Sequence, residues 1–365
     1  MIKVLADKDI PYLDEVFETS KDYQLTKLSF DEITSNSLKD IDALLSRSAT
    51  PLNGILFDGT KVKFAGSLTS GEDHINFNET DNLKIEVNSA KGCNAQAVTE
   101  YILDALSVSN EKRLGIIGQG FVGSKLKKVL EAYDYEIKTY DPYLYEHDEK
   151  TLNDVLSFPL ISVHSSYSKA GKFPSHNLIS SLNANQLLIN TSRGEIVDYV
   201  SIDNSSKARL ICDVWNNEPN LDREDIKNTF RATPHIAGNT FEAKINALNI
   251  ISRKLDSFFD KKDLRKLVIK TKVLEVNPKT ISKSLDNNLL PFELIDFFSP
   301  CNKVSSIFKK NIKEVKTDIN FVQEFQKIRK SFERKGFGEY ALAVNKIKSS
   351  QQEQLSLLGF EIHRE

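Results

Sequence analysis

Short apolar runs separated by polar segments predict the elements of the first hundred residues. Apolar runs at residues 2–6, 43–45 and 62–65 predict three strands. Residues 11–17 predict a short helix, because proline is favoured in a first helical turn. Apolar residues recur with helical spacing across residues 95–108, which predicts a longer helix.

Strand-like and helix-like patterns then alternate up to about residue 240. The predicted strands lie at residues 114–117, 136–140, 160–163, 187–190 and 210–214. This alternation is typical of a doubly wound parallel sheet. Residues 241–259 predict a helix that could return to the first domain.

From about residue 270 the composition changes, and Asn and Lys become frequent. Within this part of the chain, Asn277-Pro278 predicts a turn. A later helix has an apolar face, formed by Phe321, Phe325, Ile328 and Phe332. Its cations are interpreted as a solvated surface: Lys327, Arg329, Lys330, Arg334 and Lys335. Residues 340–344 and 360–362 predict strands on either side of a polar helix.

These patterns predict an α/β protein of three domains. A Rossmann-type doubly wound sheet occupies residues 95–240. A second domain combines residues 1–94 with about 241–265, and a small α/β domain covers about 266–365.

Composition excludes several classes of protein. The 365 residues are 40% hydrophobic and carry a net charge of −2, which is typical of globular proteins and argues against nucleic acid or a lipid surface as partner. No run approaches the roughly 18 apolar residues of a membrane helix, and the N-terminus lacks a signal-peptide core. Three scattered cysteines favour a reducing cytoplasm. No histidine or cysteine spacing indicates a metal site.

The segment LGIIGQGFVG has the spacing of a dinucleotide-binding loop. Gly118 permits a tight turn, Gly120 lets a pyrophosphate approach the backbone, and Gly123 lets the helix pack closely on the strand. Phe121 and Val122 open the helix, whose unpaired N–H groups favour an anion.

An acidic residue ends the next strand. Asp141 lies 23 residues after Gly118, close to the spacing of about 20 at which a carboxylate binds the adenosine ribose. A carboxylate there repels a 2′-phosphate, so the sequence predicts NAD rather than NADP as cofactor.

Three polar residues follow later strands: Arg193, Glu218 and His235. Any one of them alone is compatible with an ordinary loop. Beside a dinucleotide site they suit the oxidation of a 2-hydroxy acid, which needs an anchor for the carboxylate and a base for the hydroxyl proton. Arginine binds carboxylates through two parallel hydrogen bonds, and histidine can accept a proton near neutral pH.

The motifs NTSRGEIVD, DVWNNEP and PHIAG, in that order after GQGFVG, resemble NAD-dependent D-2-hydroxyacid dehydrogenases. LLSRSAT, FAGSLTSGEDHI and KGCNAQAVTEYIL resemble the flavodoxin-like substrate domain of that family. FQKIRKSFERKGFGEY resembles an extra C-terminal domain that one branch of the family uses for dimerisation. The resemblance therefore implies a homodimer acting on a small phosphorylated 2-hydroxy acid.

The resemblance also implies roles for individual residues. Arg193 would anchor the substrate carboxylate, His235 would accept the proton, and Glu218 would orient His235. The positions matched to substrate contacts are Ser48, Thr69, Arg193 and Asn239. The positions matched to cofactor contacts are Gly118, Gly120, Phe121, Val122, Gly123, Asp141, Ser165, Asp213 and Gly238.

Several alternatives stay open. Asn239 stands where this branch usually has a tyrosine, which bears on substrate geometry. Arg47 and Lys91 are cations that either bind a phosphate or are simply solvated. Two other functions are compatible with the motifs: a dehydrogenase for phosphoglycerate or a glyoxylate-like acid, and an NAD(H)-sensing protein without turnover.

Overall fold

The computed structural model describes residues 1–144, 149–166, 182–197, 208–315, 318–344 and 347–363. The chain divides into two compact units. Unit 1 comprises residues 1–94 and 242–270, and unit 2 comprises residues 95–241 and 271–365.

The strands are β1 Ile2–Asp7, β2 Tyr23–Leu28, β3 Ala43–Ser46, β4 Phe64–Ser67, β5 Glu86–Ser89, β6 Arg113–Ile117, β7 Glu136–Tyr140, β8 Leu160–Val163, β9 Leu187–Asn190, β10 Arg209–Cys212, β11 Arg231–Ala232, β12 Lys272–Glu275, β13 Tyr340–Ala343 and β14 Glu361–His363. The α-helices of the described residues are α1 Leu13–Phe17, α2 Gly54–Phe57, α3 Phe77–Asn82, α4 Ala95–Ala105, α5 Phe121–Glu131, α6 Glu149–Leu156, α7 Arg223–Asn228, α8 Phe241–Phe258, α9 Pro278–Asp286, α10 Phe292–Phe298, α11 Cys301–Glu314, α12 Asp318–Ser331 and α13 Ser349–Leu358.

Unit 1 is built on a five-stranded parallel sheet of order β2-β1-β3-β4-β5. This is the flavodoxin-like order, so the predicted fold of this part is confirmed. The helix α8 buries Leu248, Ile251 and Leu255 against apolar residues of the sheet such as Val4 and Phe64. The loops that follow β3 and β4 carry Ser48 and Thr69, two of the substrate contacts implied by the resemblance.

Unit 2 contains a six-stranded parallel sheet of order β11-β10-β9-β8-β6-β7. The strand order reverses at β6, whose neighbours are β7 and β8. In such sheets a ligand binds beyond the carboxyl ends of the strands at this reversal. The glycine-rich loop follows β6 directly and therefore lies at this reversal. The Rossmann-type fold predicted from the sequence is confirmed.

The C-terminal residues form a three-stranded parallel sheet, β12-β13-β14, with helices α9 to α13. Their described apolar side chains belong to two cores that also contain residues of the Rossmann sheet. Phe298 and Leu342 share a core with Leu114 of β6, and Phe308 shares another with Trp215. Residues 271–365 therefore lie in one compact unit with residues 95–241, whereas the sequence predicts a third domain.

Several local predictions differ from the structure. The first helix begins at Leu13 rather than at residue 11, and the strands β2, β5, β11 and β12 are not predicted. The turn predicted at Asn277-Pro278 is wrong, because these residues open helix α9. Asn277 accepts a hydrogen bond from the backbone N–H of Lys279 at 3.0 Å, and proline occupies the first helical turn.

Candidate active site

The three chemically reactive residues predicted in unit 2 follow three adjacent strands of its sheet. Arg193 follows β9, Glu218 follows β10, and His235 follows β11. Because the carboxyl ends of parallel strands meet at one edge of a sheet, the topology brings these three loops to the same edge.

Trp215 contacts all three loops, by packing against the Arg193 loop and by hydrogen bonds to the loops of Glu218 and His235. A Cβ atom at Gly194 would lie 2.0 Å from the carbonyl carbon of Trp215, so the Arg193 loop lies directly against the Glu218 loop. The Trp215 backbone N–H donates to Glu218 Oε1 at 2.8 Å, and its indole Nε1 donates to the carbonyl of Thr233 at 2.9 Å. The sequence favours a packing role for this single tryptophan, and its 2% exposure agrees with that role, whereas the hydrogen bonds by which it links the loops are not predicted.

His235 and Glu218 form a hydrogen-bonded pair. His235 Nδ1 lies 2.7 Å from Glu218 Oε2, and Nε2 has no hydrogen-bond partner among the described residues. Burial raises the pKa of Glu218, but the charge and ring hydrogen bond of His235, helped by Arg329 and the Trp215 N–H, outweigh burial and lower it. Glu218 is therefore a carboxylate at neutral pH, and it orients the ring with Nε2 available for proton transfer.

Asp213 holds the loop that carries His235. Its Oδ1 accepts hydrogen bonds from the Thr233 hydroxyl at 2.6 Å and the Ile236 N–H at 2.8 Å, and its Oδ2 accepts from the Ala237 N–H at 2.7 Å. Burial raises its pKa, against the opposing charge of His235 and these hydrogen bonds. The carboxylate is thus used by the protein itself, and the cofactor contact assigned to Asp213 stays a prediction.

Arg193 lies in a tight turn after β9. Its Nη1 donates to the carbonyl of Ser192 at 2.7 Å, and its own carbonyl accepts from Asn190 Nδ2 at 2.9 Å. Asn190 Oδ1 also accepts from the Ser192 N–H at 3.1 Å, so one side chain shapes the turn. The half-buried Arg193 is placed at the reactive edge of the sheet, and its contact with a substrate carboxylate stays a prediction.

The glycine-rich loop has the close approaches that the motif requires. Gly118 adopts φ +93°, and a Cβ there would lie 2.6 Å from the backbone nitrogen of Ser165. A Cβ at Gly123 would lie 2.0 Å from the carbonyl oxygen of Gly118, so helix α5 packs against the turn only because Gly123 has no side chain. A Cβ at Gly120 would meet no atom within 4 Å, which leaves the N-terminus of α5 open to a phosphate.

Polar groups around this loop fit a bound dinucleotide. The buried Asp141 accepts hydrogen bonds from the backbone N–H groups of Gln119 at 2.7 Å and Tyr143 at 3.0 Å. Within the described chain, three buried polar atoms nearby have no hydrogen-bond partner: Gln119 Oε1, Ser165 Oγ and Thr191 Oγ1. Buried polar atoms need partners, and a cofactor with hydroxyl and phosphate groups could supply them.

The remaining predicted cofactor contacts lie near the same edge but differ in exposure. Phe121 is 62% exposed at the start of α5, and Val122 is half-buried against the core. Gly238 is half-buried in the loop after His235. Their contacts with NAD stay predictions.

The predicted substrate residues of unit 1 follow β3 and β4. Ser48 is exposed, whereas Thr69 Oγ1 lies 2.8 Å from Ser67 Oγ, which in turn lies 2.8 Å from His74 Nε2. This network positions the Thr69 loop and was not predicted. The substrate contacts of Ser48 and Thr69 stay predictions.

The two cations considered for phosphate binding are held by carboxylates. Arg47 binds Asp7 and Asp9 at 2.8 Å each, and Lys91 binds Glu72 at 2.8 Å. Both cations therefore lie in ion pairs, and phosphate binding by either of them stays a hypothesis.

Asn239 of unit 2 is also a predicted substrate residue, and its Nδ2 donates to the carbonyl of Phe332 at 2.9 Å. Its amide nitrogen is therefore used to join the loop after His235 to the C-terminal residues. Contact between Asn239 and substrate stays a prediction.

Two negative findings bear on the chemistry. Among the described residues, no cluster of three or more His, Cys, Asp or Glu side chains is arranged to hold a metal ion. No helix in those same residues has the length and apolar character needed to cross a membrane.

Comparison with known proteins agrees with this geometry. The sequence profile of the "D-isomer specific 2-hydroxyacid dehydrogenase, NAD binding domain" matches residues 94–237. The erythronate-4-phosphate dehydrogenase of Hahella chejuensis is 30% identical over an alignment of 389 residues, gaps included, that covers 99% of each chain. That of Legionella pneumophila subsp. pneumophila is 36% identical over 270 residues, covering 70% of this chain and 77% of the relative.

Solved structures share the fold. An NAD⁺-bound 3-phosphoglycerate dehydrogenase from Entamoeba histolytica is 24% identical with a TM-score of 0.60, covering 74% of this chain and 99% of the other. A D-lactate dehydrogenase from Aquifex aeolicus, complexed with NAD and lactic acid, is 19% identical with a TM-score of 0.58, covering 71% and 95%.

The fold, the glycine-rich loop and the His–Glu pair define an NAD-dependent oxidoreductase of the D-2-hydroxyacid dehydrogenase class. NAD is the cofactor. Within that class, the chain belongs to the erythronate-4-phosphate dehydrogenase family.

Proposed function

We propose that this chain oxidises 4-phospho-D-erythronate at C2, giving 2-oxo-3-hydroxy-4-phosphobutanoate, NADH and a proton, in pyridoxal 5′-phosphate (vitamin B6) biosynthesis. The relatives that span most or all of the chain carry the corresponding enzyme name. The observation that carries the chemistry is the 2.7 Å contact between His235 Nδ1 and Glu218 Oε2. It leaves His235 Nε2 as the proton acceptor.

Each polar residue then has one task. His235 Nε2 takes the proton of the C2 hydroxyl, and Glu218 holds the ring and stabilises the imidazolium that forms. Arg193 binds the substrate carboxylate through its planar guanidinium. Bound NAD supplies the acceptor for the hydride that leaves C2. The glycine-rich loop and Asp141 hold the cofactor's phosphates and ribose.

A cofactor-reduction assay tests the substrate. NADH absorbance is followed with 4-phospho-D-erythronate, 3-phosphoglycerate and a glyoxylate-like hydroxy acid, and we expect the highest kcat/KM with the first. Higher kcat/KM for either of the others would indicate a different D-2-hydroxyacid dehydrogenase. Tight NADH binding without turnover of any acid would indicate a sensor and contradict the proposal.

His235→Ala tests the proton acceptor. We expect this variant to lose turnover and to keep NADH binding, because the ring acts on substrate rather than on the adenosine end of the cofactor. His363→Ala, which alters an exposed histidine of β14, serves as the matched control and should keep parental activity. Full activity of His235→Ala would eliminate the assigned base.

We further propose that the protein is a homodimer joined through its C-terminal residues. One face of the β12-β13-β14 sheet packs on the core through Leu274, Leu342 and Ile362. The opposite face carries Val273, which is 56% exposed. Sedimentation equilibrium should give a dimer that Val273→Glu weakens, whereas Val268→Glu, at another exposed valine, should not. A monomeric parent would contradict the proposal.

We also propose a cytoplasmic location. Cys93, Cys212 and Cys301 are all buried and free of disulfide bonds, as expected in a reducing compartment. Fractionation of cells producing the protein should recover it with cytoplasmic markers. Recovery in a membrane or exported fraction would contradict the proposal.

A further inference from the structure

Arg334 is a buried cation outside the predicted catalytic machinery. It lies three residues after α12 and is only 6% exposed, so interpreting it as a solvated charge is wrong. Its Nη1 donates to the carbonyls of Ala97 at 2.7 Å and Ala237 at 2.5 Å. Its Nε and Nη2 donate to Ser299 Oγ at 3.2 and 2.9 Å, and Nη2 lies 3.8 Å from Glu100 Oε2.

These contacts hold the loop that carries His235. The Arg334 side chain binds the Ala237 carbonyl, and its backbone N–H donates to the Asn239 carbonyl at 2.8 Å. Asn239 Nδ2 donates back to the carbonyl of Phe332. Residues 332–334 therefore bind the loop at Ala237 and Asn239, which lie two and four residues after His235.

The same loop is held from its other side by Asp213. Asp213 accepts the N–H groups of Ile236 and Ala237, so both peptide groups that flank Ala237 are bound by ionisable side chains. His235 itself has φ +56°, in the left-handed region that residues other than glycine seldom adopt. Such a conformation persists only where surrounding contacts enforce it.

We infer that Arg334 is a positioning residue for His235, and that the C-terminal residues thereby set the geometry of the proton acceptor. The inference rests on the role assigned to His235 in the proposed function. Arg334 acts through the loop and does not contact substrate in this account. Its planar fork donates in several directions at once, which a lysine ammonium on its flexible stem cannot reproduce at all these acceptors.

Substitution of Arg334 tests the inference by kinetics. Arg334→Met would leave the buried Glu100 without this cation, so Arg334→Met/Glu100→Gln is measured beside it, together with Arg334→Lys. We expect kcat to fall by roughly 10- to 100-fold in both Met variants, since a misplacement of about 1 Å has effects of that order, and less in Arg334→Lys. Affinity for ADP-ribose, which lacks nicotinamide, should stay within about twofold, because the glycine-rich loop is untouched.

A matched control separates positioning from general stability. Arg223 donates to the carbonyl of Val315 and lies over the Phe321 ring at 5.0 Å. It therefore also joins the Rossmann part of unit 2, through helix α7, to the C-terminal residues, and neither of these two partners belongs to the His235 loop. Arg223→Met should keep parental kcat. An equal loss of kcat in the Arg223 and Arg334 variants would overturn the inference.

A spectroscopic readout does not depend on the identity of the substrate. The ¹⁵N chemical shifts of the His235 ring, assigned by their loss in His235→Ala, report which nitrogen carries the proton and whether Nδ1 binds Glu218. We expect them to change in the Arg334→Met/Glu100→Gln variant and not in Arg223→Met. Unchanged shifts with parental kcat would overturn the inference. If the parent does not oxidise 4-phosphoerythronate, the proposed function fails, and the shifts still decide the role of Arg334.

Discussion

At the scale of single residues, the site depends on a histidine held in an unfavourable backbone conformation. The positive φ of His235 costs on the order of 1 kcal/mol, and Glu218, Asp213 and Arg334 supply the contacts that enforce it. The motifs NTSRGEIVD, DVWNNEP and PHIAG predict which types of residue form the site. They do not predict that Arg334 is buried, because a lysine- and arginine-rich helix normally faces solvent.

Glu218→Gln should reveal the charge of Glu218 as a pH dependence of stability. The pKa of Glu218 is lowered in the folded protein despite burial, mainly by His235. In the unfolded chain it protonates near pH 4.3, so its contribution to stability is present above about pH 4.3 and is lost as pH falls through the lower folded value. Denaturant unfolding should therefore show a parent-to-variant difference that is larger at pH 6 than at pH 3. A difference independent of pH would contradict this interpretation.

At the scale of elements, sequence pattern predicts the strands that are buried on both faces. The runs at β6, β8 and β9 are almost wholly apolar, and parallel strands covered by helices have this composition. The strand β2, YQLTKL, is an edge strand with mixed polarity, and β11 has only two residues. The two residues of β11 are too few to show a period, and apolar and polar residues alternate in β2 only from Tyr23 to Thr26, so neither has the apolar run that marks β6, β8 and β9.

The glycine-rich turn allows a matched pair of substitutions within one element. Gly123→Ala places a Cβ 2.0 Å from the Gly118 carbonyl oxygen, so helix α5 must move, at a cost of about 1–3 kcal/mol in stability. Gly120→Ala meets no atom within 4 Å and should fold normally, but its methyl group should weaken NADH binding by at least about tenfold. Thermal unfolding and NADH titration measure the two effects. Equal melting temperatures, or parental NADH affinity in Gly120→Ala, would be inconsistent with this account of the turn.

Asp104 of helix α4 is a buried carboxyl group whose negative charge destabilises the folded state. Burial raises the pKa of Asp104 to about 6, against hydrogen bonding from Cys301 and the charge of Arg231, which lies 3.9 Å away. The folded protein then binds more protons than the unfolded chain between about pH 4 and 6, so stability falls as pH rises through this range. Relative to Asp104→Asn, the parent should lose on the order of 1–3 kcal/mol between pH 4 and pH 7. Parallel stability curves would show that Asp104 is ionised in both states.

At the scale of the whole chain, the C-terminal residues and the Rossmann sheet share their cores. Phe298 lies 4.8 Å from Tyr340 and 5.2 Å from Phe360 between ring centroids, and all three belong to the core that includes Leu114 of β6. The change in composition near residue 270 predicts a domain boundary that the shared cores do not show. Composition gives no information on which surfaces pack together. The shared core depends on contacts across more than 150 residues of sequence, which no local pattern encodes.

Phe298 and its neighbour Phe297 test whether unit 2 unfolds as one body. Phe298 is 1% exposed, so Phe298→Ala should cost about 3–5 kcal/mol, whereas Phe297→Ala, at a ring that is 56% exposed, should cost under about 1 kcal/mol. Trp215, the single tryptophan, lies in the other core of unit 2, beside Phe308. Because both cores combine residues of the Rossmann sheet with C-terminal residues, Trp215 fluorescence and far-UV circular dichroism should shift together to lower denaturant in Phe298→Ala. A Trp215 transition that stays at its parental midpoint while a separate transition moves would instead identify residues 271–365 as an independent domain.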